Sequence, residues 1–211
     1  MKVYLTSFYP LCSTKKGKLA IKTYSELDPY IDGSCRREPD FENPFPCITG
    51  LCRPRFAEKL EEHDIVIYVT NKKGVGSRKV VAVFKVIKKI NDHKSAQDWY
   101  NERKITIPND LMLDRTSPFP LDKTHQIMGW NSWIDGPHNL ENWENGYIKR
   151  ADESKQVAVC SKEIFINLKE PIALSDKDWK KISNRALCTQ NPPVLTKEEI
   201  SIFKQKTKIA F

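Results

Sequence analysis

The chain has none of the short motifs that most directly indicate a catalytic chemistry. It has no Gly-x-x-x-x-Gly-Lys-Ser/Thr loop, and the glycine-containing stretch at 74–79 leads into an apolar strand-like run, which excludes a P-loop nucleotide site. It also lacks the Gly-x-Ser-x-Gly elbow of acyl transfer, and the His-x-Glu with Cys-x-x-Cys of zinc-dependent deaminases. None of the four histidines has a Cys or Asp at a diagnostic spacing. The sequence therefore assigns no catalytic residue.

Long apolar runs are missing as well. No run approaches the 18 residues of a membrane span, so we expect no membrane partner. Residues 1–10 lack the long apolar segment of a secretory signal and predict a first strand instead. Hydrophobic residues make up 39% of the 211 residues and aromatics 10%, which is enough for a packed core. We expect a cytoplasmic protein with a single domain over residues 1–211.

The six cysteines do not form the pattern of a disulfide framework. They stand at positions 12, 35, 47, 52, 160 and 188 of a large, lysine-rich chain with no predicted signal. Cys47 and Cys52 have the spacing of half a zinc site, which Cys35 could extend, but no second closely spaced pair follows. We expect buried free thiols, no bound metal and no cofactor.

Positive charge is in excess and favours a polyanionic partner. Lys and Arg total 35 against 27 Asp and Glu, giving a formal net charge of +8 and an isoelectric point near 9.1. Many unrelated globular proteins are equally basic, so the balance alone does not name a partner. We expect a nucleic acid or a nucleotide.

Two β-branched runs, at 64–70 and 80–87, flank a basic connection with two glycines and predict a hairpin at the centre of the core. The sequence also predicts strands at 3–8, 157–161 and 164–168 and a basic turn over 10–24. Helices are predicted near 56–62 and are expected to begin at Ser95, Ser175 and Thr196. Proline-rich residues 27–55 and irregular residues 105–147 predict two long ordered loops. The expected class is α+β: a small, mostly antiparallel β-barrel with short helices and a C-terminal helical extension over 175–211.

A dense polar cluster in the first loop is the main candidate binding site. Arginines there could grip a phosphate through paired hydrogen bonds, and the acids could accept from the amine of a base or hold the arginines in place. The candidates are Asp32, Ser34, Cys35, Arg36, Arg37 and Asp40, with Glu38 beside them.

Aromatic residues supply candidate stacking walls for a base. In the second loop these are Trp130 and Trp133, with Asn131 or Asp135 to contact the base edge; Trp99 and Tyr100 on the predicted helix could form another wall. The alternative for each is a core position. A basic rim could contact phosphates, and its candidates are Arg53, Arg55, Lys72, Lys73, Arg78 and Lys79.

Two segments resemble a known superfamily. LEEHDIVIYVT at 60–70 with VVAVFKV at 80–86 resembles the Gly-Asp-x-Val-x-Tyr core of the PUA-like superfamily, which includes the EVE, ASCH and YTH branches; His63 stands where those families commonly have glycine. DGSCRREPD at 32–40 and ITGLCR at 48–53 look like the nucleotide-modification-associated domains of phages and bacterial mobile elements. The resemblance implies a PUA-like barrel whose pocket accepts one flipped, often modified, base between aromatic walls.

Three functions follow as hypotheses. The first is a nucleic-acid-binding module that recognises a flipped or modified base in modification, restriction or phage defence. The second is an enzyme acting on a nucleotide or nucleobase, with Asp32, Glu38 or Asp40 as acid or base and Cys35 as nucleophile. The third is a factor that binds a phage or host protein.

Overall fold

A six-stranded sheet that curls into a half-barrel forms the centre of the protein. The computed structural model describes residues 1–33, 37–51, 55–72, 75–111, 148–187, 189 and 191–211. Its strands are β1 (Val3–Phe8), β2 (Cys47–Ile48), β3 (Ile65–Thr70), β4 (Lys79–Ile90), β5 (Val157–Ile166) and β6 (Ile172–Ala173). Its helices are α1 (Lys15–Thr23), α2 (Phe56–Lys59), α3 (His93–Glu102), α4 (Asp176–Ile182) and α5 (Lys197–Thr207), and residues 148–153 are also helical. The predicted α+β class is confirmed.

The strand order is β1-β3-β4-β5-β2, with β6 beside the start of β4. Strand β1 runs parallel to β3, while the pairs β3–β4, β4–β5, β4–β6 and β2–β5 are antiparallel. The register shifts between Tyr68 and Val69 in β3, and twice in β4 where it faces β5. Such bulges bend a strand and increase its twist, which is how a sheet of this size curls.

Both faces of the β3–β4 hairpin are buried, as its continuous apolar runs predict. One face carries an aromatic cluster built from Tyr4, Phe8, Phe41, Phe56, Tyr68 and Phe84. The opposite face is aliphatic and packs against Trp179 and Ile182 of α4 and Phe203 of α5. The C-terminal helices therefore form part of the core.

Asp64, the acidic residue of the hairpin motif, has a structural role. Its side chain is buried and accepts hydrogen bonds from the backbone N–H groups of Lys2 at 2.6 Å and Glu61 at 3.0 Å. It therefore ties the chain ahead of β1 to the turn that precedes β3. His63 in this turn has φ +74°, in the left-handed region that favours glycine, the residue the resemblance places there.

Three local predictions differ from the structure. The predicted turn over 10–24 contains helix α1, whose N-cap Thr14 accepts from the backbone N–H of Gly17 at 2.9 Å. Any Cβ at Gly17 would lie 1.7 Å from the carbonyl oxygen of Leu11, so glycine permits this packing. The two strands predicted at 157–168 are the single strand β5, and α3 begins after the N-cap Asp92 instead of Ser95.

The last two helices begin where the sequence predicts. Ser175 caps α4 by accepting from the backbone N–H of Asp178, and Thr196 with Glu199 forms a complete capping box on α5. Among the described cysteines, Cys47 and Cys160 are buried free thiols and Cys12 is a half-buried one. No helix within the described residues is both long and apolar enough to cross a bilayer.

Replacing Phe41 tests whether the first loop is part of the core. Its ring centroid lies 4.9 Å from that of Phe8, 5.4 Å from Tyr68 and 5.7 Å from Phe84, and the residue is 1% exposed. Phe41→Ala should lower the free energy of unfolding by about 3–5 kcal/mol in urea titrations, since it leaves a cavity in the aromatic cluster. Leu19→Ala, at an exposed position on α1, should change it by less than about 0.5 kcal/mol. Equal values for the two variants would show that the loop adds nothing to core packing.

Candidate ligand-binding site

Hydrogen bonds hold residues 37–46 of the first loop against the chain that follows α3. Tyr100 on α3 donates its hydroxyl to the carbonyl oxygen of Phe45 at 2.6 Å. The amide of Asn43 donates to the carbonyl oxygen of Thr106 at 2.8 Å. The backbone N–H and side-chain amide of Asn109 both donate to Asp40, at 3.2 and 3.0 Å. These bonds join segments more than fifty residues apart in sequence, so they fix where the loop lies.

A cavity of about 330 Å³ lies between the two segments. Its volume is at the lower end of the range for small-molecule sites. Six of its seven described lining residues have polar or charged side chains, and the lining comprises Arg37, Asp40, Glu42, Asn43, Pro44, Thr106 and Asn109. Cavities with several convergent polar groups are the default candidates for ligand binding, and we call this one the loop cavity.

Charges of both signs lie around the loop cavity in the described part of the chain. Arg37, whose side chain is 8% exposed, forms an ion pair with Glu42 at 2.7 Å. On the β5 side of the loop, the ammonium of Lys162 donates to the carbonyl oxygens of Phe41 and Glu42, each at 3.4 Å. Burial lowers the pKa of Lys162, and the nearby carboxylates of Asp40 and Glu42 oppose that shift. Among the described residues, the two cationic groups of Arg37 and Lys162 therefore lie near the two anionic groups of Asp40 and Glu42.

Within the part of the chain that the structure describes, Asp40 and Asn43 make fewer hydrogen bonds than their side chains allow. Asp40 accepts three bonds there, from the backbone N–H of Glu42 and from the two Asn109 donors, and a carboxylate can accept about four. Asn43 uses one donor and one acceptor, the latter for the backbone N–H of Phe45 at 3.0 Å. Its amide can make about four bonds. Both side chains can therefore contact a ligand without releasing the loop.

Beneath the loop cavity, a buried carboxyl group meets a buried thiol. Cys47 donates its S–H to Asp110 Oδ1 at 3.2 Å, and Asp110 Oδ2 has no hydrogen-bond partner among the described residues. Burial raises the pKa of Asp110 well above its usual value, and the charges of Glu38 and Asp40 add to that shift. Burial, with Asp110 beside it, also raises the pKa of Cys47. A thiol of this kind is a poor nucleophile at neutral pH.

Glu38 is a structural residue of the same loop. It is 1% exposed and accepts from the backbone N–H of Thr49 at 3.2 Å and from its hydroxyl at 2.7 Å. These bonds tie the polar cluster to the chain that leaves β2. The described parts of the chain contain no group of His, Cys, Asp and Glu suited to a metal ion.

The structure brings only part of the predicted binding cluster together. Arg37 and Asp40 line the loop cavity, whereas Asp32 forms an isolated bridge with Pro10 beyond β1. Trp99 lies behind the cavity wall, where its ring packs against Phe45, whose neighbour Pro44 is a lining residue. Tyr100 is buried beneath the loop. Ser34, Cys35, Arg36, Trp130 and Trp133, with Asn131 and Asp135, lie outside the described residues.

The residues predicted to contact phosphates lie in different parts of the structure. Lys72 forms an ion pair with Asp176 of α4 at 2.6 Å, and the carbonyl oxygen of Arg78 accepts from the indole of Trp179. Lys79 donates to the hydroxyl of Tyr30 at 2.6 Å. Arg55 lies at the start of α2, beside a second cavity. Arg53 and Lys73 lie outside the described residues.

Sequence reasoning missed four polar residues at this site, namely Glu42, Asn43, Asn109 and Asp110. Their signal is weak, because Asn beside Pro and Asn beside Asp are typical of any turn. Asn43 and Asn109 stand in different predicted loops, so only the folded chain shows that they meet.

The chain has no significant match among protein-family models, curated proteins or solved structures.

The raised pKa of Asp110 makes a testable difference to stability. A carboxyl whose pKa is higher in the folded than in the unfolded state contributes stability below its unfolded pKa and loses it as the pH rises through the folded pKa. Relative to Asp110→Asn, the wild-type protein should therefore lose up to about 1.4 kcal/mol of unfolding free energy per pH unit above about pH 4. Urea titrations from pH 4 to 8 measure this difference.

The matched control is Asp152→Asn, the same change at an exposed position. Its unfolding free energy should follow that of the wild-type protein across the pH range. Parallel curves for the wild-type protein and Asp110→Asn would mean that Asp110 is ionised in the folded state, and would contradict the interpretation.

Proposed function

We propose that the protein is a PUA-like nucleic-acid-binding module that recognises a flipped or modified base in the loop cavity. The observation that carries the proposal is a cavity of about 330 Å³, lined by a guanidinium, carboxylates and amides, in a chain with a net charge of +8. The resemblance of residues 60–70 and 80–86 to the PUA-like core agrees with it.

The charges in the cavity wall favour an uncharged base over a phosphate as the ligand. Asp40 and Glu42 in the cavity wall would repel a phosphate, and Arg37 is already engaged by Glu42. A nucleobase is uncharged and presents donors and acceptors along its edge, so a wall of mixed polarity suits it. The excess positive charge of the chain would act outside the cavity, on the phosphates of the strand.

The lining also has the chemistry used to recognise base edges. Carboxylates accept from exocyclic amines, and Asn amides pair with an acceptor and a donor at once. Asp40 and Asn43 are held by bonds to Asn109 and Thr106, so their polar atoms are oriented before a ligand arrives. The stacking roles of Trp130 and Trp133 remain predictions.

The direction in which Glu42→Gln changes the binding affinity tests the proposal. Removing a negative charge from a protein that only grips the phosphate backbone should strengthen binding, since electrostatic attraction to the polyanion increases. If the Glu42 carboxylate or its ion pair with Arg37 forms the base site, the same change should weaken binding about tenfold. The measurement is fluorescence anisotropy with oligonucleotides that carry one modified or one mismatched base.

Glu102→Gln is the matched control, because it makes the same charge change on α3, where the side chain is 73% exposed and pairs with Arg103. It should leave affinity unchanged or slightly raised. Equal or tighter binding by Glu42→Gln would contradict a base site in the loop cavity. So would equal affinity of the wild-type protein for modified, mismatched and fully paired unmodified duplexes.

A further inference from the structure

We propose that a second cavity, of about 430 Å³, binds a phosphoryl group. It lies between the chain that follows β2, the start of α2 and the helical residues 148–153. Gly50, Arg55, Arg150, Glu153 and Ser154 line it, and we call it the arginine cavity. Two guanidinium groups and a hydroxyl are donors that suit a phosphoryl oxygen.

Ser154 carries the proposal. The residue lines the cavity and is 3% exposed, and its buried Oγ has no hydrogen-bond partner within the described residues. An unsatisfied buried hydroxyl destabilises the folded protein, so one that borders a cavity needs an explanation. A phosphoryl oxygen bound there would accept from it.

The two arginines differ in how they are held. Arg150 donates to the carbonyl oxygen of Leu51 at 3.0 Å, which orients its guanidinium beside the cavity. Arg55 is exposed and forms no ion pair with the described residues. Among the described lining residues Glu153 is the acidic one, and Lys149 pairs with it at 3.9 Å. Within the part of the chain that the structure describes, positive charge is therefore in excess around the cavity.

Gly50 makes this arrangement possible. A Cβ at this position would lie 1.8 Å from Ser154 Oγ and 2.1 Å from Ser154 Cβ, so a larger residue would displace Ser154. The close approach buries the hydroxyl at the cavity wall. Glycine is therefore required here for packing, independently of its conformational freedom.

A pair of hydrogen bonds connects the chain beside one cavity to the chain beside the other. Glu38, next to Arg37 of the loop cavity, accepts two hydrogen bonds from Thr49, which precedes Gly50 of the arginine cavity. One strand of nucleic acid could therefore contact both cavities. Assigning the phosphoryl group to a nucleic-acid strand rests on the proposed function, whereas binding of a phosphoryl group does not.

The first experiment uses inorganic phosphate and the full chain. Sodium phosphate should raise the melting temperature of the wild-type protein above its value in sodium chloride of equal ionic strength. Ser154→Ala and Arg55→Gln should each weaken the apparent phosphate affinity about tenfold. Lys22→Gln, an exposed charge change on α1, should keep the wild-type response.

Ser154→Ala has a second readout that a purely structural role would not give. Without phosphate, the variant should melt at or above the wild-type temperature, because the change removes an unsatisfied buried hydroxyl. The proposal would be overturned if phosphate did not raise the melting temperature of the wild-type protein. It would also be overturned if phosphate raised the melting temperature of both variants as much as that of the wild-type protein.

The second experiment identifies the source of the phosphoryl group, using a short single-stranded oligonucleotide. If Ser154→Ala weakens oligonucleotide binding and phosphate competes with it, the cavity takes a backbone phosphate. If the variant loses only the phosphate response, the cavity takes a free phosphate or a mononucleotide. A wild-type protein that responds to phosphate but binds no oligonucleotide would refute the proposed function and leave this site standing.

Discussion

Burial of both faces of the β3–β4 hairpin is the constraint on which the rest of the structure depends. A sheet that is apolar on both faces must pack against other parts of the chain on both faces. The C-terminal helices cover one face through Trp179 and Phe203, and the proline-rich first loop covers the other through Phe41. Residues 37–46 of this loop have no regular backbone pattern, and hydrogen bonds and the packed ring of Phe41 hold them on the half-barrel sheet. The positions of their polar side chains are fixed in the same way.

The geometry of the loop cavity follows from the packing of the first loop on the β3–β4 hairpin. The loop that carries Phe41 also carries Arg37, Asp40 and Asn43, and the chain after α3 supplies the partners that hold them. Holding the two segments together also places the carboxyl of Asp110 in the interior. Burial raises the pKa of Asp110, which favours its neutral form, and Cys47 donates its S–H to this carboxyl. A buried anion at this position would be far more costly.

The two proposed subsites differ in the charge of their described lining residues. The loop cavity has carboxylates beside one guanidinium, whereas the arginine cavity has two guanidinium groups beside one carboxylate. Thr49 and Gly50 form the chain between them, and both act through close packing: Thr49 against Glu38 and Gly50 against Ser154. The segment after β2 is therefore the part of the molecule where a single substitution would disturb both proposed subsites.

The sequence by itself determined the elements whose signals are local. Continuous β-branched runs specify β3 and β4, and the capping residues Ser175 and Thr196 specify where the last two helices begin. Tertiary structure decided what depends on distant partners: the bonds of Asp40 to Asn109, sixty-nine residues away, and the Cys47–Asp110 pair. The physical reason is that loop residues have no periodicity. Their positions follow from hydrogen bonds and close packing that exist only once the chain has folded.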